Sequence, residues 1–196
     1  MNFLGHLYFS NNDHLLMYAN LFGDFVKGSN LSVYADTVQK GIRLHRRIDN
    51  YIDHHPIVTE LQHTLHRELP RISGIATDLF FDHLLARHWA DYHPLSLEKF
   101  VGDFHNFQTD KSLFPSTEFW HVLKMMQEGS WLVNYQTSQG LQFACSGLSR
   151  RISFENNLDT APLVFERHSE RIELAFRTYM HDAQLFFGST RTNDQA

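Results

Sequence analysis

Apolar side chains recur every three or four residues along nearly the whole chain, which is the spacing that predicts amphipathic α-helices. Ser32 and Ser96 are expected to cap the third and sixth helices, and Pro56 suits the first turn of the fourth. We therefore predict an all-α fold, a single-domain helical bundle of about eight helices. The helices are predicted over about residues 2–10, 13–26, 32–55, 56–69, 72–92, 96–114, 117–128 and 161–187, with one or two shorter helices between 131 and 153.

The composition supports one folded domain without regular β-structure. The 196 residues are 42% hydrophobic and include only 10 Gly and 5 Pro, too few turn signals for a sandwich or barrel. No repeat, low-complexity tract or linker divides the chain, so residues 1–187 are expected to form the domain and 188–196 a polar, disordered tail. Cys145 is the only cysteine, which excludes an internal disulfide and a thiolate zinc site.

Charge and hydropathy limit the kinds of partner. The formal net charge of −5 argues against a dedicated nucleic-acid binder, because affinity for nucleic acids comes mainly from Lys and Arg. The first residues do not resemble a signal peptide, and no segment approaches the roughly 18 apolar residues that cross a bilayer. We expect a cytoplasmic protein that binds neither nucleic acid nor membrane; its oligomeric state stays open.

Several acids and one histidine fall on apolar helix faces. His45 and Asp49 lie within about 40° of each other on the apolar side of the third helix. Asp78 and Asp82 share the apolar sector of the fifth helix, and Asp24 is embedded in apolar sequence between two glycines. A buried carboxylate costs several kcal/mol unless it is paired or bound to a metal, so each of these acids needs a partner.

Two explanations are open for these inward acids. They could be paired structurally, Asp49 with Arg46 or Arg47 and Asp78 with Arg71 or Arg87. Alternatively, imidazoles and carboxylates on facing helices could hold a divalent ion, as bundle proteins do in their cores. The basic segment 40–47, which carries Lys40, Arg43, Arg46 and Arg47 without an acid, would then hold a phosphate beside the ion. The pattern alone thus suggests metal-assisted hydrolysis of a phosphate ester.

Four sequence blocks make the chain similar to a known family. They are Asn-Phe-Leu-Gly-His-Leu at 2–7, Gly-Asp-Phe-Val-Lys-Gly at 23–28, Gly-Ile-Arg-Leu-His-Arg-Arg-Ile-Asp at 41–49 and Phe-Asp-His-Leu-Leu-Ala-Arg-His-Trp at 81–89. In this order they resemble the acyl carrier protein phosphodiesterase family, while the second half of the chain matches only in general character. The resemblance implies a divergent branch of the HD phosphatase/phosphodiesterase superfamily, HD-domain-like and metal-dependent. Mn²⁺ is the expected ion, with Mg²⁺ or Fe²⁺ as alternatives.

The resemblance also implies a reaction and a set of site residues. The reaction is hydrolysis of the phosphodiester that joins 4′-phosphopantetheine to a serine of holo acyl carrier protein. Residues inside the blocks are expected to act as metal ligands (His6, Asp24, His45, Asp49 and Asp82), as phosphate-binding groups (Arg46 and Arg47) and in catalysis (Asp24, His45, Arg46 and His88).

Some assignments remain open between neighbours. The superfamily's adjacent His-Asp pair occurs here only at His181-Asp182, outside every block, and we interpret it as an ordinary helical pair. His83 competes with Asp82 as a ligand, and His88 or His83 would protonate the leaving serine oxygen. The acidic carrier protein would be steered by exposed cations among Lys27, Lys40, Arg43, Arg150 and Arg151.

Two other functions fit the same pattern. A helical metal phosphohydrolase could act on a nucleotide or another small phosphate ester. A non-enzymatic helical protein could instead bind a metal for stability. Turnover of holo acyl carrier protein, but not of mononucleotides, would separate the first from the main prediction, and a metal-dependent gain in stability without product would favour the second.

Overall fold

A computed structural model of the chain describes residues 1–189, and all regular structure within that range is helical. This confirms the predicted all-α, single-domain fold, with apolar residues from nearly every helix joining one core. No described helix is long and apolar enough to span a bilayer. The helices are α1 (Phe3–Tyr8), α2 (His14–Phe22), α3 (Asp36–Asp53), α4 (Pro56–Leu65), α5 (Ser73–Arg87), α6 (Trp89–Tyr92), α7 (Leu97–Asn106), α8 (Thr117–Glu128), α9 (Trp131–Asn134), α10 (Ser138–Ser149), α11 (Ala161–Arg167) and α12 (Ser169–Ser189).

The described chain has twelve α-helices where about eight were predicted, because some apolar runs are divided. The run 72–92 breaks at His88 and the run 161–187 breaks at His168, where the backbone leaves helical geometry. Each of these histidines directs its ring at a glutamate from a distant segment, Glu173 and Glu68 respectively. Apolar periodicity continues across both breaks, so it did not reveal them.

Helix boundaries depend on local hydrogen bonds that the periodicity did not resolve. Ser32 does not cap α3, because its backbone and hydroxyl bond to Asn30 in a preceding turn and the helix begins only at Asp36. Ser96 does cap α7, and Pro56 occupies the first turn of α4, as predicted. The predicted tail 188–196 begins within α12, and its residues 190–196 lie outside the described part of the chain.

A close contact between α2 and α3 positions the helix that carries His45. A Cβ added at Gly41 would lie 2.3 Å from Cβ of Ala19 and 2.8 Å from the backbone nitrogen of Asn20. Only glycine therefore permits this approach of the two backbones. As a result, the next turn of α3 presents His45 to α1, where its ring stacks on that of His6.

Candidate functional site

Four of the residues predicted from the sequence meet at one place in the fold. His6 comes from α1, Asp24 from the 3₁₀ turn Gly23–Phe25 that follows α2, and His45 and Asp49 from successive turns of α3. Nε2 of His6 lies 3.2 Å from Oδ1 of Asp49, and Nε2 of His45 lies 3.1 Å from Oδ2 of the same carboxylate. Oδ1 of Asp24 is 3.3 Å from Nε2 of His45.

The two histidines form the buried floor of this cluster and the two acids form its open side. His6 and His45 are only 3% and 5% exposed, and their rings stack with centroids 4.2 Å apart. The side chains of Asp49 and Asp24 are 43% and 51% exposed. A charged ligand could therefore reach the carboxylates from solvent, while the imidazoles are shielded and held in place by packing.

Asn20 fixes the orientation of His6. The side-chain amide of Asn20 donates to the carbonyl oxygen of His6 and to Oγ of Ser10, at 2.9 and 3.0 Å. Its Oδ1 must then be the acceptor for Nδ1–H of His6, at 2.9 Å. The neutral ring consequently presents a bare Nε2 lone pair to the carboxylate of Asp49.

The cluster strongly perturbs the protonation of its members. Burial lowers the pKa of His6 and outweighs the opposing effect of the Asp49 carboxylate. Burial would also lower the pKa of His45, but the carboxylates of Asp24 and Asp49 outweigh it and raise this pKa to about 9. Burial would raise the pKa of Asp49, but the two imidazoles hold it below its ordinary value. The two carboxylates therefore favour a proton on His45 over one on His6.

Gly23 allows the turn that carries Asp24 to approach His45. A Cβ added at Gly23 would lie 2.5 Å from Cγ of His45, closer than any side chain can tolerate. Position 23 therefore has to be glycine if Asp24 is to contact Nε2 of His45. At Gly23 and Gly41, the lack of a side chain lets a neighbouring segment of the chain approach closely. Neither glycine contributes a functional group to the cluster.

The donor set fits a divalent cation. One ligand atom from each of His6, His45 and Asp49 lies within 4.8 Å of the others. The contacts of 3.1–3.3 Å match the spacing of about 3–3.5 Å between ligands that surround one ion at about 2.1 Å. The bare Nε2 of His6 facing a carboxylate is unfavourable unless a cation or a proton lies between them. Imidazole nitrogen with carboxylate oxygen suits Mn²⁺, Fe²⁺ or Zn²⁺.

The cluster opens into a cleft of about 300 Å³ between α1, α3, α5 and α10. The rest of the lining combines aliphatic side chains with three polar ones, two of which are further acids. One of these, Asp78, lies 3.1 Å from the amino group of Met1 rather than beside Arg71 or Arg87. The lining residues are Met1, Asn2, His6, Asp24, Asp49, Ile52, Asp53, Ile75, Asp78, Leu79 and Leu148.

Asp82, a predicted ligand, lies outside the cluster. Its carboxylate accepts hydrogen bonds from the backbone nitrogens of Leu4 and Gly5, at 2.7 and 3.1 Å, and so caps the N-terminus of α1. Burial raises its pKa to about 7 against the opposing effect of these bonds and the amino terminus. Its neighbour His83 is also engaged elsewhere, with Nδ1 2.6 Å from the carbonyl oxygen of Tyr135. Asp82 thus positions the helix that bears His6.

His88 also lies apart from the cluster. Its Nε2 is 2.9 Å from Oε1 of Glu173 on α12, and Arg177 contacts the same carboxylate oxygen. His88 does not line the cleft. Its predicted role as a proton donor to the serine oxygen is not supported by this position.

The two arginines next to His45 have different surroundings. Arg46 donates hydrogen bonds to the carbonyl oxygens of Gly28, at 2.6 Å, and Val26, at 3.4 Å. These bonds stabilise the loop that follows Asp24. The guanidinium of Arg47 lies 5.7 Å from the ring centroid of Phe186. Neither arginine pairs with Asp49, whose ionic partners are the two histidines.

Two residues of this site, Asn20 and Gly23, were not selected from the sequence. Asn20 is completely buried in an apolar stretch of α2, so the same criterion of an inward polar residue would have found it. The role of Gly23 has no sequence signal, because it consists in the absence of a side chain beside a residue far along the chain. The five predicted docking cations (Lys27, Lys40, Arg43, Arg150 and Arg151) are all exposed.

Comparison with known proteins relates the chain to one family. The family model described as acyl carrier protein phosphodiesterase matches residues 1–183. A protein of that name from Salmonella agona (strain SL483) is 32% identical over 154 residues, which cover 77% of this chain and 79% of that protein. The protein of the same name from Salmonella newport (strain SL254) gives the same values. No solved structure matches the chain, so the likeness to HD domains stays a prediction.

Proposed function

The chain belongs to the acyl carrier protein phosphodiesterase family and is a phosphodiester hydrolase, and on that premise we propose that it releases 4′-phosphopantetheine from holo acyl carrier protein by metal-dependent hydrolysis. The observation that carries the proposal is the meeting of His6, Asp24, His45 and Asp49 at the floor of an open cleft. These residues lie on three separate segments of the chain, and burial alone does not explain why they meet.

His6, His45, Asp49 and Asp24 would hold the divalent ion, with Mn²⁺ the first choice. When bound, such an ion neutralises charge on the phosphodiester and activates water near neutral pH. Asn20 keeps Nε2 of His6 free to act as a ligand, and Gly23 lets Asp24 reach the cluster. The half-exposed carboxylates keep the site open to a large substrate.

The exposed face of α3 offers a docking surface for an acidic protein. Lys40, Arg43 and Arg47 lie at positions i, i+3 and i+7 of this helix and are exposed on one side of it. A stripe of like charge on α3 would accelerate encounter with acidic acyl carrier protein in a salt-dependent way. Lys27, Arg150 and Arg151 are further exposed cations that would add to this attraction.

The direct test is incubation of the protein with holo acyl carrier protein and Mn²⁺, followed by mass measurement of the carrier protein. We expect loss of the phosphopantetheine mass, prevention of this loss by EDTA, and no turnover of mononucleotides. Unchanged mass with the wild-type protein would refute the proposal.

A matched pair of variants ties the activity to the cluster. Asp24→Ala should abolish release, while Asp91→Ala, which removes an exposed aspartate of α6, should not. Both variants should show the same helical circular dichroism spectrum. Full activity of Asp24→Ala would exclude this cluster as the reaction centre.

A further inference from the structure

The cleft continues beyond the cluster in a direction that the proposed metal and phosphate leave unused. Asp53 lies one helical turn after Asp49 on α3, or about 6 Å along the axis, and both line the same cleft. The far walls come from Ile75 and Leu79 of α5 and from Leu148 of α10. A volume of about 300 Å³ is within the range of small-molecule sites and exceeds what one ion and one phosphate need.

Branched aliphatic side chains form part of the walls of this far part. Ile52, Ile75, Leu79 and Leu148 line the cleft. Ile52 and Leu79 are almost fully buried by the protein itself, whereas Ile75 and Leu148 are partly exposed. Partly exposed aliphatic groups in a concave site gain free energy when a ligand covers them. The far part therefore suits a ligand segment with a branched apolar portion.

The polar groups there suit a neutral segment that donates hydrogen bonds. Asn2, Asp53 and Asp78 also line the cleft, and two of these three side chains are carboxylates. The amino group of Met1 contacts only one of them, Asp78. This balance favours amide N–H donors and opposes a second phosphate or another anionic group.

We infer that the far part of the cleft, lined by Ile52, Ile75, Leu79 and Leu148, binds the pantetheine arm of the substrate, an inference that rests on the proposed function. The arm is neutral, carries a geminal dimethyl group next to the phosphate-bearing carbon, and continues through two amides to a thiol. With its phosphate at the divalent ion that Asp24 and Asp49 would help to hold, the dimethyl group would reach the aliphatic side chains of the cleft. The serine and its carrier protein, too large for the cleft, then stay outside it.

The test uses pantetheine, which lacks the phosphate, as the probe. Its binding is measured by calorimetry on the metal-free protein, so the result depends neither on catalysis nor on a bound ion. Leu148→Trp fills the far part of the cleft and should weaken pantetheine binding at least tenfold. Phe143→Trp is the matched control, because Phe143 lies on the same helix, is 66% exposed and does not line the cleft. Ile75→Trp fills the cleft from α5 and replaces Leu148→Trp if that variant does not fold.

The outcomes separate this inference from the proposed function. Binding to the wild type and to Phe143→Trp with equal affinity, and at least tenfold weaker binding to the cleft-filling variants, is the expected result. No binding to the wild type, or equal binding to every variant, overturns the subsite even if holo acyl carrier protein is cleaved. Failure of the wild type to cleave holo acyl carrier protein, with pantetheine binding as expected, instead refutes the proposed function and leaves the subsite standing.

Discussion

Replacement of Asn20 by leucine tests whether one buried amide both stabilises the fold and orients a metal ligand. Asn20 makes three hydrogen bonds, to Nδ1 and the carbonyl oxygen of His6 and to Oγ of Ser10. When Asn20 is lost, the carbonyl oxygen of His6 and Oγ of Ser10 stay bonded to each other, because Oγ of Ser10 donates to that carbonyl oxygen. Only Nδ1 of His6 is then left buried without a partner.

The expected loss of stability follows from this count. One orphaned buried donor costs about 1–3 kcal/mol, and the two other lost hydrogen bonds cost about 1 kcal/mol each. Leucine has the same branched arrangement of four side-chain heavy atoms as asparagine and recovers about 1 kcal/mol by apolar burial. The free energy of unfolding should therefore fall by about 2–4 kcal/mol, and affinity for Mn²⁺ should fall about 10–100-fold, as it does when a group that orients a ligand is removed.

Two measurements check the prediction. Urea denaturation in EDTA gives the free energy of unfolding, and calorimetric titration with Mn²⁺ under native conditions gives the affinity. Asn106→Leu, at an exposed position, is the control and should change neither quantity much. Asn20→Asp keeps an acceptor for His6 and should lose less affinity than Asn20→Leu. Wild-type affinity in Asn20→Leu would refute the orienting role, and wild-type stability would refute the hydrogen-bond argument.

Three further predictions concern groups around the cluster. Gly23→Ala should cost about 1–3 kcal/mol of stability and weaken Mn²⁺ binding, because its Cβ would displace the ring of His45; unchanged calorimetric affinity would contradict this. The fold raises the pKa of Asp82 to about 7. Its contribution to the free energy of unfolding is therefore complete below about pH 4, near the ordinary pKa of an aspartate, and is lost as the pH rises through about 7. Asp82→Asn should therefore gain stability relative to wild type by a few kcal/mol between pH 4 and 8 in thermal denaturation, whereas a constant difference would disprove the shift. Arg46→Ala should weaken Mn²⁺ binding about tenfold by freeing the loop after Asp24, and Arg46→Lys should recover part of the loss; an effect confined to KM would indicate phosphate binding instead.

Much of the local structure, and three of the four residues of the cluster, were accessible from the sequence pattern. The 3.6-residue apolar period predicted the helices, since each must bury one face. The same argument selected His45, Asp49 and Asp24, because a polar group on an apolar face needs a partner. His6 was selected only by resemblance to the family, since a histidine in a short N-terminal helix carries no pattern of its own.

The sequence by itself determined which polar side chains interrupt apolar stretches, and the tertiary structure alone decided what each of them meets. Asp82 and Asp49 give the same signal along the chain, yet one caps α1 and the other joins two histidines. The difference arises because an inward direction is a property of one helix, whereas a partner depends on how several helices pack. The close approaches at Gly23 and Gly41, between residues far apart in sequence, set that packing and bring His6, Asp24, His45 and Asp49 together.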